Sequence, residues 1–365
     1  MADDTPVPLT PGSTIGILGG GQLGRMLATA AAELGFRIHV FVPDATSPAS
    51  EVAAAHTRAD YTDVEALKTF AAAVDVITYE FENVPAECAV LLAGLKPVRP
   101  GPLALDVAQD RVREKDFVRS LGIGTAPYAA AATADEARAA FKALGGKAAI
   151  VKTRRFGYDG KGQVRVTSAD AAAEAVTQLA TPCIVEGAID FKGEISIVAA
   201  RGIDGRIEAF DPVENHHKDG ILHQTFAPST ISAGPGAEAW RIAGAILEAL
   251  NYVGVIGVEL FVMRDGSLLV NELAPRVHNS GHWTMDACNV SQFEQHIRAI
   301  AGWPLKPAVR FADCVMTNLI GPDVLNWKTY AAEPHAAIHL YGKRDARPGR
   351  KMGHVNRLYP LNGRP

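Results

Sequence analysis

Apolar residues follow two rhythms along the chain. Short apolar runs such as "TIGILG", "RIHVFVPD" and "VDVITYEF" read as strands. Between them, "GRMLATAAAELG" and "DVEALKTFAAA" place apolar residues every three or four positions, as a helix does. From Ser13 to about Pro102 strand and helix alternate, which predicts a doubly wound α/β unit on a mostly parallel sheet. "LKPVRPGPLAL" carries three prolines and reads as a boundary. A helix over "AQDRVREKDFVRSLG" and another over "ATADEARAAFKALG" follow, then strands around "AAIVKTRR", "GQVRV" and "CIVEG". Residues 194–211 read as two strands joined at "RGIDGR". A helix over "GAEAWRIAGAILEALN" leads to two strong strands, "VGVIGVELFVM" and "SLLVNELA", and "SQFEQHIRAIAG" reads as one more helix. "WPLKP" reads as a linker before a short β-rich tail, and no internal repeat is visible.

The two strong strands carry chemistry. Asp265-Gly266 between them is a hairpin signal. With a two-residue loop Arg264 faces Ser267, Phe261 faces Val270, Leu260 faces Asn271, and Glu259 faces Glu272. Like charges opposed on one face repel. A raised pKa on one carboxylate relieves this, as does a divalent cation, with Mg²⁺ favoured where phosphates share the site. Asn271 belongs to the other face of a regular strand and joins the pair only where the strand twists or ends. A shift of register by one residue would separate the acids.

Two glycine-rich segments bear on ligands. "IGILGGGQLGRML" holds G-x-G-x-x-G at Gly19, Gly21 and Gly24, and Asp44 lies where a ribose-binding acid of a dinucleotide site belongs. NAD binding and simple strand-to-helix packing both account for these glycines. In "IVKTRRFGYDGKGQ", Lys152 ends a strand, and Gly157, Gly160 and Gly162 suit a flap whose N–H groups face a polyphosphate. The segment is not a P-loop, and alone it equally describes a mobile surface hairpin. Glu186 in "CIVEG" is placed to accept from an adenosine group or to sit in a solvated turn. "APRVHNSGHWTMDA" crowds Arg276, His278, Asn279, Ser280 and His282 beside Glu272, and an arginine there suits an oxyanion. Zinc fits the histidines poorly, because no Cys or acid has the spacing. His216, His217 and His223 in "ENHHKDGILHQ" read as a turn with surface histidines.

Composition narrows the classes. The 365 residues are 48% hydrophobic and 21% charged, with a net charge of -4. That describes a globular chain of two or three domains with no global pull toward nucleic acid or acidic membrane. No apolar run approaches the roughly 20 residues of a membrane helix. The start, "MADDTPVPLTPGST", is unlike a signal peptide. Cys88, Cys183, Cys288 and Cys314 lie far apart, as reduced thiols of a cytoplasmic protein would.

Taken together, "GGGQLGRML", "YEFENVP", "RRFGYDGKGQ", "NELAPRVHNSGHWT" and "RPGRKMGH" resemble the N5-carboxyaminoimidazole ribonucleotide synthetase family of ATP-grasp enzymes, over about Ile15 to Asn356. The resemblance implies an ATP-grasp fold of mixed α/β and α+β class. Its parts would be an N-terminal α/β domain (1–107), a lid/ATP-grasp subdomain (108–190), a central ATP-grasp domain (191–305) and a β-rich C-terminal part (306–365). Family members commonly continue into a further helical segment after the "GRKMGH" region, where this chain has "RLYPLNGRP".

The implied reaction carboxylates 5-aminoimidazole ribonucleotide with bicarbonate and ATP, through carboxyphosphate, in a cytoplasmic homodimer. ATP would meet Arg111, Lys152, the flap Gly157, Tyr158, Asp159, Gly160, Lys161, Gly162 and Gln163, then Glu186, Gly187, Ala188, Ile189, Glu194, His217, Asn271 and Glu272. Glu259 and Glu272 would hold Mg²⁺. Arg276, His278 and Asn279 would orient bicarbonate, and Asp159 could help remove the amine proton. Gln22, Glu80, Tyr158, Asp159, Lys343 and Arg350 would contact the ribonucleotide. The rivals are another ATP-grasp ligase such as the formate-dependent glycinamide ribonucleotide transformylase, an NAD-dependent oxidoreductase, and a non-catalytic nucleotide sensor.

Overall fold

A computed structural model describes residues 7–157, 160–231 and 236–364. The N-terminal alternation forms a parallel sheet in the order Ala55–Thr57, Arg37–Phe41, Thr14–Leu18, Val76–Tyr79. Alternate residues feed cores on both faces. Ile15 and Ile17 enter one core with Leu27 of helix Gln22–Glu33, while Leu18 and Phe41 enter the other with Phe70. Ala55–Thr57 and helix Ala86–Ala93 add elements that the sequence pattern did not show.

The helix expected over "AQDRVREKDFVRSLG" is Arg111–Ser120, and a further short helix, Pro102–Ala108, precedes it. Asp110 caps Arg111–Ser120, accepting from the N–H groups of Val112 and Arg113 at 3.0 and 3.4 Å. The proline-rich boundary is therefore partly helical, with Pro102 in the first turn where its missing N–H is harmless.

A small antiparallel sheet follows, ordered Tyr128–Ala131, Cys183–Gly187, Ala149–Thr153, Gln163–Val166. Helices Ala134–Ala143 and Ala169–Leu179 share its core. The remaining strands form one nine-stranded sheet. From the hairpin edge it runs Leu268–Ala274, Gly254–Met263, Phe191–Arg201, Val213–Lys218, Ile221–Ala227, Asp313–Ile320, Lys351–Tyr359, Ala336–Leu340, and the ninth strand, Ile207–Ala209, pairs with Phe191–Arg201 off this path. The tail read as a separate β-rich piece thus continues the central sheet, because Asp313–Ile320 pairs with Ile221–Ala227. The segment read as a turn with surface histidines is a hairpin of two strands, turning at Asp219-Gly220.

His296 of helix Gln292–Ala301 joins the N-terminal unit to this sheet. Its Nδ1 accepts from Val255 N–H at 3.1 Å, and its Nε2 meets Thr78 Oγ1 at 2.9 Å. Burial holds the imidazole near pKa 3, so it is a neutral bridge.

The Asp265-Gly266 hairpin differs from the simple count. Met263 N–H donates to Ser267 O, so the loop holds three residues rather than two. Phe261 then faces Leu269 and Leu260 faces Val270. A bulge at Asn271 restores the register, and Glu259 faces Glu272 as expected. The bulge also turns Asn271 and Glu272 to the same side, where both line the cavity described next.

Candidate active site

One cavity of about 960 Å³ lies where the three sheets meet. Gln22 and Glu80 enter from the N-terminal sheet, Lys152 and Lys161 from the small sheet, Glu259 and Glu272 from the large one. The opening glycine loop resolves here. Glu80 Oε1 accepts from Gly21 N–H at 2.7 Å and Oε2 from Gly24 N–H at 3.3 Å. The protein's own carboxylate therefore occupies the helix N-terminus where a dinucleotide pyrophosphate would sit. A Cβ on Gly19 or Gly21 would lie within 2.6–2.8 Å of Glu80 atoms, so these glycines admit a side chain rather than NAD. Asp44 is exposed and does not line the cavity. Burial raises the Glu80 pKa against the pull of its two N–H bonds.

Helix Arg111–Ser120 ties the small sheet to the hairpin. Arg111, Glu114 and Lys115, spaced i, i+3 and i+4, share a face. Arg111 Nη1 meets Glu272 Oε2 at 3.2 Å. Glu114 Oε1 accepts from Leu273 N–H at 2.6 Å. Lys115, 1% exposed, reaches Glu186 Oε1 at 3.4 Å and Asn271 O at 3.3 Å. Glu186 also meets Lys152 Nζ at 2.9 Å. It is buried behind Lys152, so it is not a solvated turn residue. Gly162, Gly187, Ala188 and Ile189 do not line the cavity. Asp110 fixes the base of the flap with a bidentate pair to Arg154 at 3.0 and 2.8 Å. Tyr158 and Asp159 lie outside the described residues.

Burial and the charge of Glu272 push Glu259 up to about 7. A divalent cation between the two carboxylates would remove that strain. No group of three metal-ligating His, Cys, Asp or Glu side chains occurs among the described residues. Two carboxylates with Asn271 alongside fit Mg²⁺ by their hard oxygen donors, and they would hold it beside bound phosphates.

Arg276 is half-buried beside Glu82, with Nε 2.5 Å from Oε2. Burial opposes the charge on Glu82, but Arg276 outweighs it and holds the carboxyl at about 2. His278 Nε2 is 3.4 Å from Glu259 Oε1. Burial, then the Arg276 charge, lowers His278 to about 3, so it serves as a neutral hydrogen-bonding group. Asn279 forms a two-way amide pair with Asn318, at 3.0 and 2.7 Å. His217 Nδ1 meets Glu194 Oε2 at 3.0 Å on the same wall, and that carboxylate raises the histidine's pKa against burial. Lys343 and Arg350 line the far end with Arg347 and Lys351.

The sequence reading missed Glu82, Glu114, Lys115, Asn318, Arg347 and Lys351. Glu82 stands in the quoted "YEFENVP". Asn318 and Lys115 carry the quieter signal of a polar residue at a core position, which needs a partner. Phe191 and Phe261, ring centroids 4.6 Å apart, form an apolar wall that was also missed.

Comparison with known proteins agrees with this geometry. Residues 12–109 match the ribonucleotide synthetase preATP-grasp domain, 116–293 the ATP-grasp domain, and 314–360 the phosphoribosylaminoimidazole carboxylase C-terminal domain. The N5-carboxyaminoimidazole ribonucleotide synthase of Brucella melitensis is 52% identical over 356 residues, covering 96% of this chain and 98% of its own. An N5-carboxyaminoimidazole ribonucleotide synthetase solved as its ADP complex superposes with a TM-score of 0.92 at 39% identity, over 96% of this chain and 93% of that one. The Aspergillus clavatus enzyme, solved with ADP and 5-aminoimidazole ribonucleotide, gives a TM-score of 0.89 at 31% identity, over 96% and 94%. The chain belongs to the N5-carboxyaminoimidazole ribonucleotide synthase family, ATP-grasp ligases of purine biosynthesis that carboxylate 5-aminoimidazole ribonucleotide with ATP.

Proposed function

We propose that this cavity joins bicarbonate to the exocyclic amine of 5-aminoimidazole ribonucleotide in two steps. The observation that carries the proposal is the opposition of Glu259 and Glu272 in the cavity that also holds Lys152 and Arg276. ATP lies between the small sheet and the hairpin. Lys152, held by Glu186, offsets phosphate charge, and Arg111 and the flap residues Gly157, Gly160, Lys161 and Gln163 enclose the phosphates. Glu194 and His217 receive the ribose against the wall of Phe191 and Phe261. Glu259 and Glu272, with Asn271, would hold Mg²⁺, which would offset the charge of the phosphates.

A bicarbonate oxygen attacks the γ-phosphorus, ADP leaves, and carboxyphosphate forms. Arg276 and the polar groups of His278 and Asn279 stabilise its oxyanion. The amine then attacks the carboxyl carbon, directly or after CO₂ is released, phosphate leaves, and the amine gives up a proton. Gln22, Glu80 and the cations Lys343 and Arg350 receive the ribonucleotide and its 5′-phosphate. Enclosure protects carboxyphosphate from water.

A cytoplasmic homodimer, implied by the family resemblance, belongs to the same proposal, and sedimentation tests the dimer. The decisive assay follows labelled bicarbonate into the aminoimidazole nucleotide together with ADP release. ADP release that needs formate and ignores aminoimidazole ribonucleotide would instead favour the formate-dependent transformylase.

A further inference from the structure

We propose that Asn318 is a positioning residue that sets the orientation of the Asn279 amide, leaving Asn279 an N–H to offer the oxyanion of bicarbonate and carboxyphosphate. The inference rests on the proposed role of Asn279 at that anion. Asn318 lies in strand Asp313–Ile320 and is 1% exposed. Its Nδ2 donates to Leu222 O at 2.8 Å and to Asn279 Oδ1 at 2.7 Å, and its Oδ1 accepts from Asn279 Nδ2 at 3.0 Å.

The orientation of this pair follows from the backbone. A main-chain carbonyl only accepts, so the Asn318 atom that touches Leu222 O is the amide nitrogen. Both hydrogens of that nitrogen are then used, one on Leu222 O and one on Asn279. The atom of Asn279 facing it must be the oxygen, and the Asn279 nitrogen must face the Asn318 oxygen. A flipped Asn279 would set NH₂ against NH₂ and oxygen against oxygen in a buried place. One N–H of Asn279 remains uncommitted to Asn318, and Asn279 lines the cavity beside His278.

Orientation matters because the ligand is an anion. An amide N–H attracts it, whereas the amide oxygen in the same place repels it. The carbonyl of Leu222, in a strand of the central sheet, thus sets a donor in the reaction site through two asparagine side chains. It also gives the strand Asp313–Ile320 a part in bicarbonate handling, although that strand lies in the segment after the ATP-grasp match.

Asn318→Leu and Asn318→Asp variants of the full chain test the inference. Both should lower kcat/KM for bicarbonate by roughly ten- to a hundredfold, with KM for ATP and for 5-aminoimidazole ribonucleotide within about twofold of the parent. In Asn318→Asp the loss relative to the parent should shrink as pH falls, because a protonated carboxyl restores a donor toward Asn279 Oδ1. Stability of a buried carboxyl follows pH in the same sense, so the kinetics are read where circular dichroism shows the variant folded at every pH. NMR of the ligand-free chain should show faster hydrogen exchange at the Asn279 side-chain amide in either variant. Unchanged amide protection, or an equal loss for all three substrates, would overturn the positioning role. If Asn318→Leu does not fold, Asn318→Asp and its pH dependence decide. Asn279→Ala separates the two readings. If it leaves bicarbonate kinetics intact, the anion role of Asn279 falls. If it impairs them while the Asn318 variants do not, only the positioning role falls.

Discussion

Glu259→Gln should stabilise the metal-free protein at alkaline pH while abolishing turnover. Burial and the neighbouring charge of Glu272 raise the Glu259 pKa from 4.5 to about 7. A carboxyl raised on folding favours the folded state below its unfolded pKa, and that contribution is lost as pH rises through the folded value. Between pH 4.5 and 7 the native protein therefore loses stability relative to a chain without this group. The shift of about 2.5 units, at 1.36 kcal/mol each, sets an upper bound of about 3.4 kcal/mol. Coupling to His217 and Glu272 makes about 2 kcal/mol the realistic figure. At about 2.1 cal/mol/K per residue this moves Tm by roughly 3 °C.

Thermal denaturation of parent and Glu259→Gln, without metal or nucleotide, at pH 5, 7 and 8.5 measures the effect. The curves should coincide near pH 5 and separate in favour of the variant by pH 8.5. Adding Mg²⁺ with ADP should raise the parent selectively, since ligand binding to the native state adds stability by mass action. A variant less stable than the parent at pH 8.5, or a gap independent of pH, would refute the claim that the two carboxylates strain one another.

Glu82→Gln should cost about 1–3 kcal/mol in urea denaturation, less than for a fully buried pair, because it leaves the half-buried Arg276 charge without its carboxylate. The Glu82→Gln/Arg276→Met double variant should regain much of that stability and none of the carboxylation. Glu272→Ala should reduce ADP formation by several powers of ten, measured by coupled assay, since a catalytic metal ligand is lost. Lys115→Met should raise KM for ATP more than it lowers kcat, because Glu186 then fixes Lys152 without its second cation. NADH fluorescence should show no binding to the parent, since Glu80 fills the glycine loop, and micromolar quenching would contradict that account.

The α/β alternation and the paired glutamates were legible because both rest on periodicity. The hairpin shows the limit of such counting. Asp265-Gly266 marks a turn but leaves the loop length open between two and three residues. The three-residue loop displaced the register by one, and the bulge at Asn271 displaced it back. The facing of Glu259 and Glu272 was thus predicted through two departures that cancel, while the shared orientation of Asn271 and Glu272 was not predicted at all. Periodicity also failed where one polar residue breaks a core pattern. Asn318 in "DCVMTNLI" and Lys115 in "RVREKDFVRS" are nearly fully buried, and no local rule names their partners, 39 and 71 residues away for Asn279 and Glu186. What a sequence does show is that each such residue, if buried, requires a partner. Glu114, Lys115, Glu186, His278, Asn279 and Asn318 are all buried in or just behind one cavity wall. Chance scatter of polar residues through several cores would not concentrate them there. Their concentration follows from the need to hold several like and unlike charges in fixed geometry around a polyanionic substrate, which apolar packing cannot do.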